Sequence, residues 1–331
     1  MGLLCLSGTS ILVFMSTPAP IVVRCPASLR AEALRSLHAN LPEDLQAGLV
    51  QAIQAVREEG ETAWDGLLIC QRGDLLAAVW AQQLPGRTAS LWPPACQSPV
   101  AKSLLLEVGK FLDQHDVAIT QILLASAEGA AGGSLRATIE VLESSGYCWL
   151  ANLRYLVAEK VIFPASAPAL SLRFESRAGA QQQRLAALIE QTYVGTQDCP
   201  AVEGSRPMAE VLASYRATGR YQDQSWFFVQ HQGRDVGALL LAPHGSGEVW
   251  ELVYMGIIPA ARGNDFGCQM VRQAFWHVAQ GGGRRLVLAV DESNAPALAM
   301  YRRVGLTGWD RRQVYARLQE GKPFPPTRPL T

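Results

Sequence analysis

The sequence has no excess of either charge: 29 Lys and Arg stand against 29 Asp and Glu. A formal charge of zero gives no net field to attract a polyanion, which removes general nucleic-acid binding and leaves only a local anion site open. There is no C-x-x-C pair among the seven cysteines, and the five histidines do not neighbour them at ligand spacing. That is neither a zinc site nor a disulfide framework, and the odd count predicts free thiols in a reducing cytoplasm, with no metal. No uncharged apolar run reaches the ~20 residues of a membrane span, so no membrane partner is expected. The opening MGLLCLSGTSILVFM has the apolar character of a signal segment, yet it lacks a basic start and runs into Ser-Thr-Pro-Ala-Pro rather than a small-residue cleavage site. Residues 1–26 are expected to be a disordered leader, with Met15 an alternative start.

What the chain does have is length and apolar material. At 331 residues, 49% apolar and 18% charged, it can fill two cores of ~150 residues each. Apolar residues three and four apart from Ala27 onward (Leu29, Ala33, Leu34, Leu37, then Leu45, Leu49, Ile53, Val56) predict helix. Strands are predicted over 66–70, 75–80, 119–125 and 147–157, and helices over 104–114 and 137–144. VIFPASAPAL then reads as a linker. The order repeats after it. Helices are predicted over 181–193 and 208–218, strands over 226–231, 236–242 and 249–258, and a helix from Gly267. A strand over 285–290, a short helix over 296–303 and a strand over 313–318 close the chain. GDLLAAVW matches GRDVGALL in pattern, and LESSGYCWLANLRYLV matches YRRVGLTGWDRRQVYARL, which predicts a diverged tandem repeat of an α/β unit.

The segment ELVYMGIIPAARGNDFGCQMVRQAF is a strand entering a glycine-bearing loop and then a helix. Backbone N–H groups of such a loop, backed by a helix N-terminus, suit a pyrophosphate, and Arg262 adds positive charge. A strand-loop-helix with two glycines is also an ordinary turn.

This segment resembles the phosphate-binding motif of the GCN5-related N-acetyltransferase (GNAT) superfamily, reading Arg262-Gly263-Asn264-Asp265-Phe266-Gly267 and followed by Cys268. Asp265 stands where the family usually has its first glycine. A carboxylate there repels phosphate unless it points away, although Asp tolerates left-handed φ better than most residues. Downstream, LVLAVDESNAPALAMYRRVGL resembles the family's next motif, with Asn294 before a short helix and Tyr301 seven residues on. The resemblance covers roughly residues 170–318; the first half is a worn copy, with Trp92-Pro93-Pro94 at the phosphate loop's place and Leu142 opposite Tyr301. It implies two tandem GNAT-like domains, each a mixed, mostly antiparallel sheet flanked by helices. Residues 27–160 would form the degenerate domain, 161–170 a linker, 171–320 the acetyl-CoA-binding domain and 321–331 a tail. A tandem pair with one degraded half is also the layout of mycothiol synthase-like proteins, a similarity of architecture alone.

The implied chemistry is acetyl transfer from acetyl-CoA to an amine, with roles that the residues fill to different degrees. Backbone N–H groups of Met255, Gly256 and Ile257 would hold the thioester carbonyl where the strand splays from its neighbour; Gly256 permits close approach there, or is a strand glycine beside a bulge. Glu251 matches the catalytic glutamate of the histone-acetylating members, as general base, or is a solvent-facing strand residue. Tyr301 would protonate the thiolate, or is a core tyrosine with its hydroxyl at the surface. Asn294 contacts the cofactor, caps the helix, or does both. Cys268 reads as a small helix-start residue. Tyr193, Thr196, Asp198 and Arg206 precede or begin the second helix of this unit and would line the acceptor pocket, Asp198 meeting an ammonium; the bland alternative is a surface loop. A non-catalytic acyl-CoA-binding regulatory module and a purely structural protein are the rival functions.

Overall fold

The computed structural model describes residues 19–57, 60–125 and 132–319. Its first half runs β1 (Ile21–Arg24), α1 (Arg30–Asn40), α2 (Glu43–Val56), β2 (Leu67–Arg72), β3 (Asp74–Leu84), β4 (Thr88–Trp92), α3 (Ala101–Gln114), β5 (Ile119–Ala125), α4 (Gly132–Glu143) and β6 (Cys148–Glu159). The second half repeats that order: β7 (Arg173–Ser176), α5 (Gln182–Tyr193), α6 (Met208–Ala217), β8 (Trp226–His231), β9 (Arg234–His244), β10 (Val249–Ile257), α7 (Phe266–Gln280), β11 (Arg285–Asp291), α8 (Ala295–Arg303) and β12 (Thr307–Leu318). The tandem α/β repeat is present, with helices on both sides of mixed sheet. Leu41-Pro42 breaks the helical stretch after Ala27 into α1 and α2, because proline follows poorly from a helical residue.

The expected leader needs correction. Residues 1–18 lie outside the described residues, as does the expected tail 321–331, but Ile21–Arg24 is a strand, paired antiparallel with Leu68–Gln71. Strands β4 and β7 are likewise absent from the sequence-based expectations.

Strand faces follow the period of two. In β2, Leu68 and Cys70 pack with Leu104, Leu105 and Val108 of α3, while Leu67 and Ile69 pack with Leu37 and Leu49 of α1 and α2. In β8, Phe227 and Val229 meet Met270, Ala274 and Phe275 of α7, while Trp226 and Phe228 meet Leu185, Ile189 and Leu212 of α5 and α6. Each half is therefore a sheet between two helix pairs.

The halves do not own separate sheets. All twelve strands form one sheet in the order β1-β2-β3-β4-β5-β12-β6-β11-β10-β9-β8-β7. The last strand of each half has crossed to the other. β12 pairs antiparallel with β5 from Arg312↔Ala125 to Leu318↔Ile119, and β6 pairs antiparallel with β11 from Arg285↔Glu159 to Asp291↔Leu153. The two exchanged strands pair with each other from Thr307↔Val157 to Ala316↔Cys148. Charged side chains tie the exchange: Arg317 of β12 grips Asp113 of α3 at 3.0 and 2.5 Å, and Glu292, after β11, accepts from Arg154 of β6 and Arg311 of β12.

No helix of the described residues is long and apolar enough to cross a membrane. The six cysteines among them are free thiols, and no cluster of three or more His, Cys, Asp or Glu there is placed to hold a metal ion.

An exchanged sheet cannot lose one half and keep the other intact, so thermal unfolding is expected as a single transition; two separated calorimetric transitions would contradict this. The Arg317 and Asp113 side chains are only 14% and 18% exposed. Asp113→Ala strands a largely desolvated guanidinium and is expected to cost about 3 kcal/mol in urea unfolding, a loss under about 1 kcal/mol speaking against the tie.

Candidate active site

β10 follows β9 along its whole length but leaves β11 early. It pairs with β11 in parallel only over Val249–Glu251 against Arg285–Val287. Beyond that point the β11-facing backbone of 252–257 has no strand partner among the described residues, so its N–H and C=O groups border a gap. A register shift between Leu252 and Tyr254 adds one residue here, and such a bulge bends a strand and re-aims its side chains. A cavity of about 500 Å³ opens in the gap. Met255, Gly256, Ile257, Arg262, Asn294 and Tyr301 line it, together with Tyr193, Thr196, Asp198 and Arg206. The first half supplies a wall as well, through Gln121 and Leu123 of β5 and Leu150 and Leu153 of β6.

Gly256 is required by packing. A Cβ there would lie 2.3 Å from the Tyr254 hydroxyl and 2.6 Å from Thr192 Oγ1, so only glycine lets the end of α5 close on β10.

The loop after β10 departs from expectation at two charged residues. Arg262 does not offer its charge freely to a ligand. Its Nη2 donates to the Thr192 and Val194 carbonyls at 2.9 Å each, its Nη1 to Gly195 O at 3.3 Å and its Nε to Ile257 O at 3.1 Å. These carbonyls include the otherwise unpaired ones at the C-terminus of α5, where a cation also meets the negative end of the helix dipole. Asp265 adopts left-handed φ of 59°, as a residue in a glycine's place must, and Gly263 stands at 82°. The Asp265 carboxylate turns to Arg303 of α8, whose Nη2 ion-pairs with it and also lies 2.7 Å from Cys268 Sγ. Asn264 ties the loop down by donating to Ala261 O at 3.1 Å. Phe266 and Cys268 are buried at the start of α7. Residues 263–268, Gly267 among them, sit at that helix N-terminus rather than on the cavity wall.

Tyr301 is 6% exposed, and its hydroxyl makes no hydrogen bond to any described residue. Burial first, and the Asp198 charge second, push its pKa well above that of an ordinary phenol, so it stays protonated across the physiological range. Asn294 caps α8, its Oδ1 accepting from Ala297 N at 3.2 Å. Glu251 lies just outside the cavity lining, and His244 Nε2 hydrogen-bonds its Oε2 at 2.8 Å.

The loop between α5 and α6 is built on reciprocal carboxylate bonds. Asp198 Oδ1 accepts from Asp291 N at 2.8 Å, while Asp291 Oδ2 accepts from Cys199 N at 3.1 Å. Thr196 Oγ1 accepts from Asp198 N at 3.1 Å. Burial raises the Asp198 pKa, opposed by its bond from the Asp291 backbone. Tyr193 shares a 2.7 Å hydroxyl contact with Tyr215, which stacks on Tyr254. Arg206 Nη1 donates to Gly86 O at 2.6 Å and Ser214 Oγ at 2.8 Å, and burial lowers its pKa. Sequence reasoning missed Thr192, Tyr254, Tyr215, His244 and Arg303. Only His244 left a trace, as the histidine across a Gly245-Ser246-Gly247 turn from Glu251.

Residues 189–306 match the model of the acetyltransferase (GNAT) family. Among curated proteins, the chain is 33% identical over 102 residues to the mycothiol acetyltransferase of Corynebacterium efficiens, covering 29% of this chain and 34% of that protein. The mycothiol acetyltransferase of Corynebacterium glutamicum is 31% identical over 104 residues, 31% of this chain and 35% of that one. The chain thus spans about a third of the length of these relatives. Among solved structures, a GCN5-related N-acetyltransferase from Sphaerobacter thermophilus superposes with a TM-score of 0.60 at 16% identity, covering 92% of this chain and 97% of that one. A tandem GNAT protein from the clavulanic acid biosynthesis pathway gives 0.51 at 12% identity, covering 92% and 100%. At such identities the likeness establishes the fold alone.

The His244–Glu251 contact yields a pH signature. The hydrogen bond to Glu251, outweighing burial, raises the His244 pKa above its ordinary value of about 6.5. A raised histidine contributes stability that is complete below the unfolded pKa and lost as pH climbs through the folded one. NMR titration is expected to place the His244 ring above about 6.5 in the native protein and lower in Glu251→Gln; identical values in the two would remove the coupling.

Proposed function

The chain carries a GNAT-family acetyltransferase domain in its second half, set in a tandem GNAT fold, and from that premise we propose that it transfers an acetyl group from acetyl-CoA to an amine. The observation that carries the reading is Tyr301, a buried phenol without a protein partner on the wall of the cavity where β10 leaves β11. A proton donor unengaged by the protein on a cavity wall bordered by unpaired strand backbone is what thioester cleavage uses.

The residues fit acetyl-CoA as a substrate. α7 is a fifteen-residue helix whose N-terminal N–H groups, with the backbone of 262–268, favour a pyrophosphate. Arg303 draws the Asp265 carboxylate aside, so the departure from the family pattern is compensated within the same fold. In the reaction the amine nitrogen attacks the thioester carbonyl, whose oxygen is held by backbone N–H groups of 255–257. The C–N bond forms and the C–S bond breaks. The amine's proton passes through water to Glu251, and Tyr301 gives its hydroxyl proton to the departing sulfur. Asn294 reaches the pantetheine side while it caps α8. His244 orients Glu251. The pull of Arg303 on Asp265 leaves the phosphate loop a tolerable charge, which supports cofactor binding over a purely structural protein.

Calorimetry is expected to detect acetyl-CoA binding, and amines are expected to release CoA. Tyr301→Phe and Glu251→Gln should each lower kcat by about 10²- to 10⁴-fold. No heat with acetyl-CoA sinks the reading, and binding without CoA release across an amine panel transfers it to the regulatory module. Arg303→Ala, by freeing the Asp265 carboxylate, is expected to weaken acetyl-CoA binding several-fold, with Asp265→Gly in the same chain restoring it; equal affinities would show the pair to be idle.

A further inference from the structure

Arg206 has no carboxylate partner among the described residues, although it is half-buried and lines the cavity. Its one engaged nitrogen, Nη1, donates to neutral oxygens, the Gly86 carbonyl and the Ser214 hydroxyl. Glu210, whose charge Arg206 feels, accepts from Arg87 at 3.1 Å through Oε1 and makes no hydrogen bond or ion pair to Arg206. A guanidinium that gives up water without gaining a counter-ion costs free energy unless an anion arrives. Packing between the halves fixes its position. Gly86 belongs to the β3–β4 turn of the first half, and a Cβ there would lie 2.2 Å from Glu210 O, so the two halves close on each other around this arginine.

Acidic groups occupy the same loop. Asp198 is fixed by its bond from Asp291 N through one oxygen, leaving the other unengaged by any described residue, and Glu203 also lines the cavity. The Tyr193 hydroxyl lines the same cavity and feels both signs, Arg206 as a positive neighbour and Asp198 and Glu203 as negative ones. A site with one anchored cation and acids apart from it is complementary to a ligand bearing both charges.

We propose that the acceptor is a small primary amine that also carries an anionic group, a carboxylate or a phosphate, with Arg206 holding the anion and Asp198 facing the amine end. The inference rests on the acetyl-transfer reading and specifies its acceptor. It also gives the first half a part in recognition, because the β3–β4 turn positions the anion anchor while Gln121 and Leu123 line the same cavity.

The test compares matched amines by CoA release: ethanolamine against phosphoethanolamine and β-alanine, and glucosamine against glucosamine 6-phosphate. The anionic members are expected to show at least about tenfold higher kcat/KM. The carboxylate and phosphate arms tell which anion the site takes. Arg206→Gln should erase the preference, Arg206→Lys should keep part of it, and Ser214→Ala, which removes the brace but not the charge, should leave it in place. Neutral amines performing equally well, or Ser214→Ala erasing the preference as fully as Arg206→Gln, overturns the proposal. Should acetyl-CoA not bind at all, the acetyl-transfer reading falls instead. The anion site is then read directly, as a rise in melting temperature with inorganic phosphate or acetate that wild type shows and Arg206→Gln lacks; no rise in wild type overturns it.

Discussion

Strands β6 and β12 each complete the sheet of the half they do not belong to. A strand edge left open at β5 or β11 would present a row of unpaired N–H and C=O groups, and the exchange closes both edges at once with two long strands of twelve residues each. The site depends on this closure. β11 can stand away from β10 and leave a gap only because β6 holds it from the other side along Arg285–Asp291. Without that support, the parallel pair of three residues between β10 and β11 would be the whole of β11's attachment to sheet. The first half, worn as its sequence is, therefore cannot be shed: it lends a strand to the working half and takes one in return.

Charge is used in this molecule mainly as a fastener. Arg317 reaches across from an exchanged strand to Asp113, Arg311 and Arg154 converge on Glu292, and Arg184 is shared between Glu175 and Asp235. Arg262 is spent on carbonyls at the end of α5, and Asp198 and Asp291 are spent on each other's loops. A chain with equal numbers of acids and bases has no net charge to act at long range, and any charged ligand must be recognised at short range. Arg206, like Arg262, has no ion pair, but where Arg262 spends three nitrogens on carbonyls, Arg206 engages neutral oxygens through Nη1 alone.

The repeat and the element order were legible in the sequence because hydrophobic period and turn residues act locally. The β10–loop–α7 segment and the Asn294–Tyr301 spacing were legible for the same reason, each being set within one strand-helix unit. The strand exchange was not, since pairing Arg312 with Ala125 or Val287 with Val157 joins residues far apart in sequence through backbone groups that every residue carries. Short edge strands such as Ile21–Arg24 and Arg173–Ser176 have too few residues to show alternation. The charged residues failed differently. Arg262 and Asp265 lie in the loop between β10 and α7, Asp265 with the left-handed backbone its position suggested, but their partners Thr192 and Arg303 lie on other elements, and what a side chain does turns on where its partner sits.

The two halves share the splay itself, which separates duplication from decay. β4 also pairs with β5 in parallel for only three residues, Thr88–Ser90 against Ile119–Gln121, before parting. The short parallel pairing is therefore common to both halves, and what differs is the chemistry placed around it. After β4 come Pro93 and Pro94, which have no N–H to offer a phosphate, where β10 leads to Arg262, Gly263 and Asn264. Leu142, fully buried in the first core, takes the place in which the second half sets Tyr301 against the cavity. An alkyl side chain in place of a phenol offers no proton, and prolines in place of a loop with free N–H groups offer no donors, while packing stays satisfied. What the second half requires of the first is structural: its last strand in place beside β11.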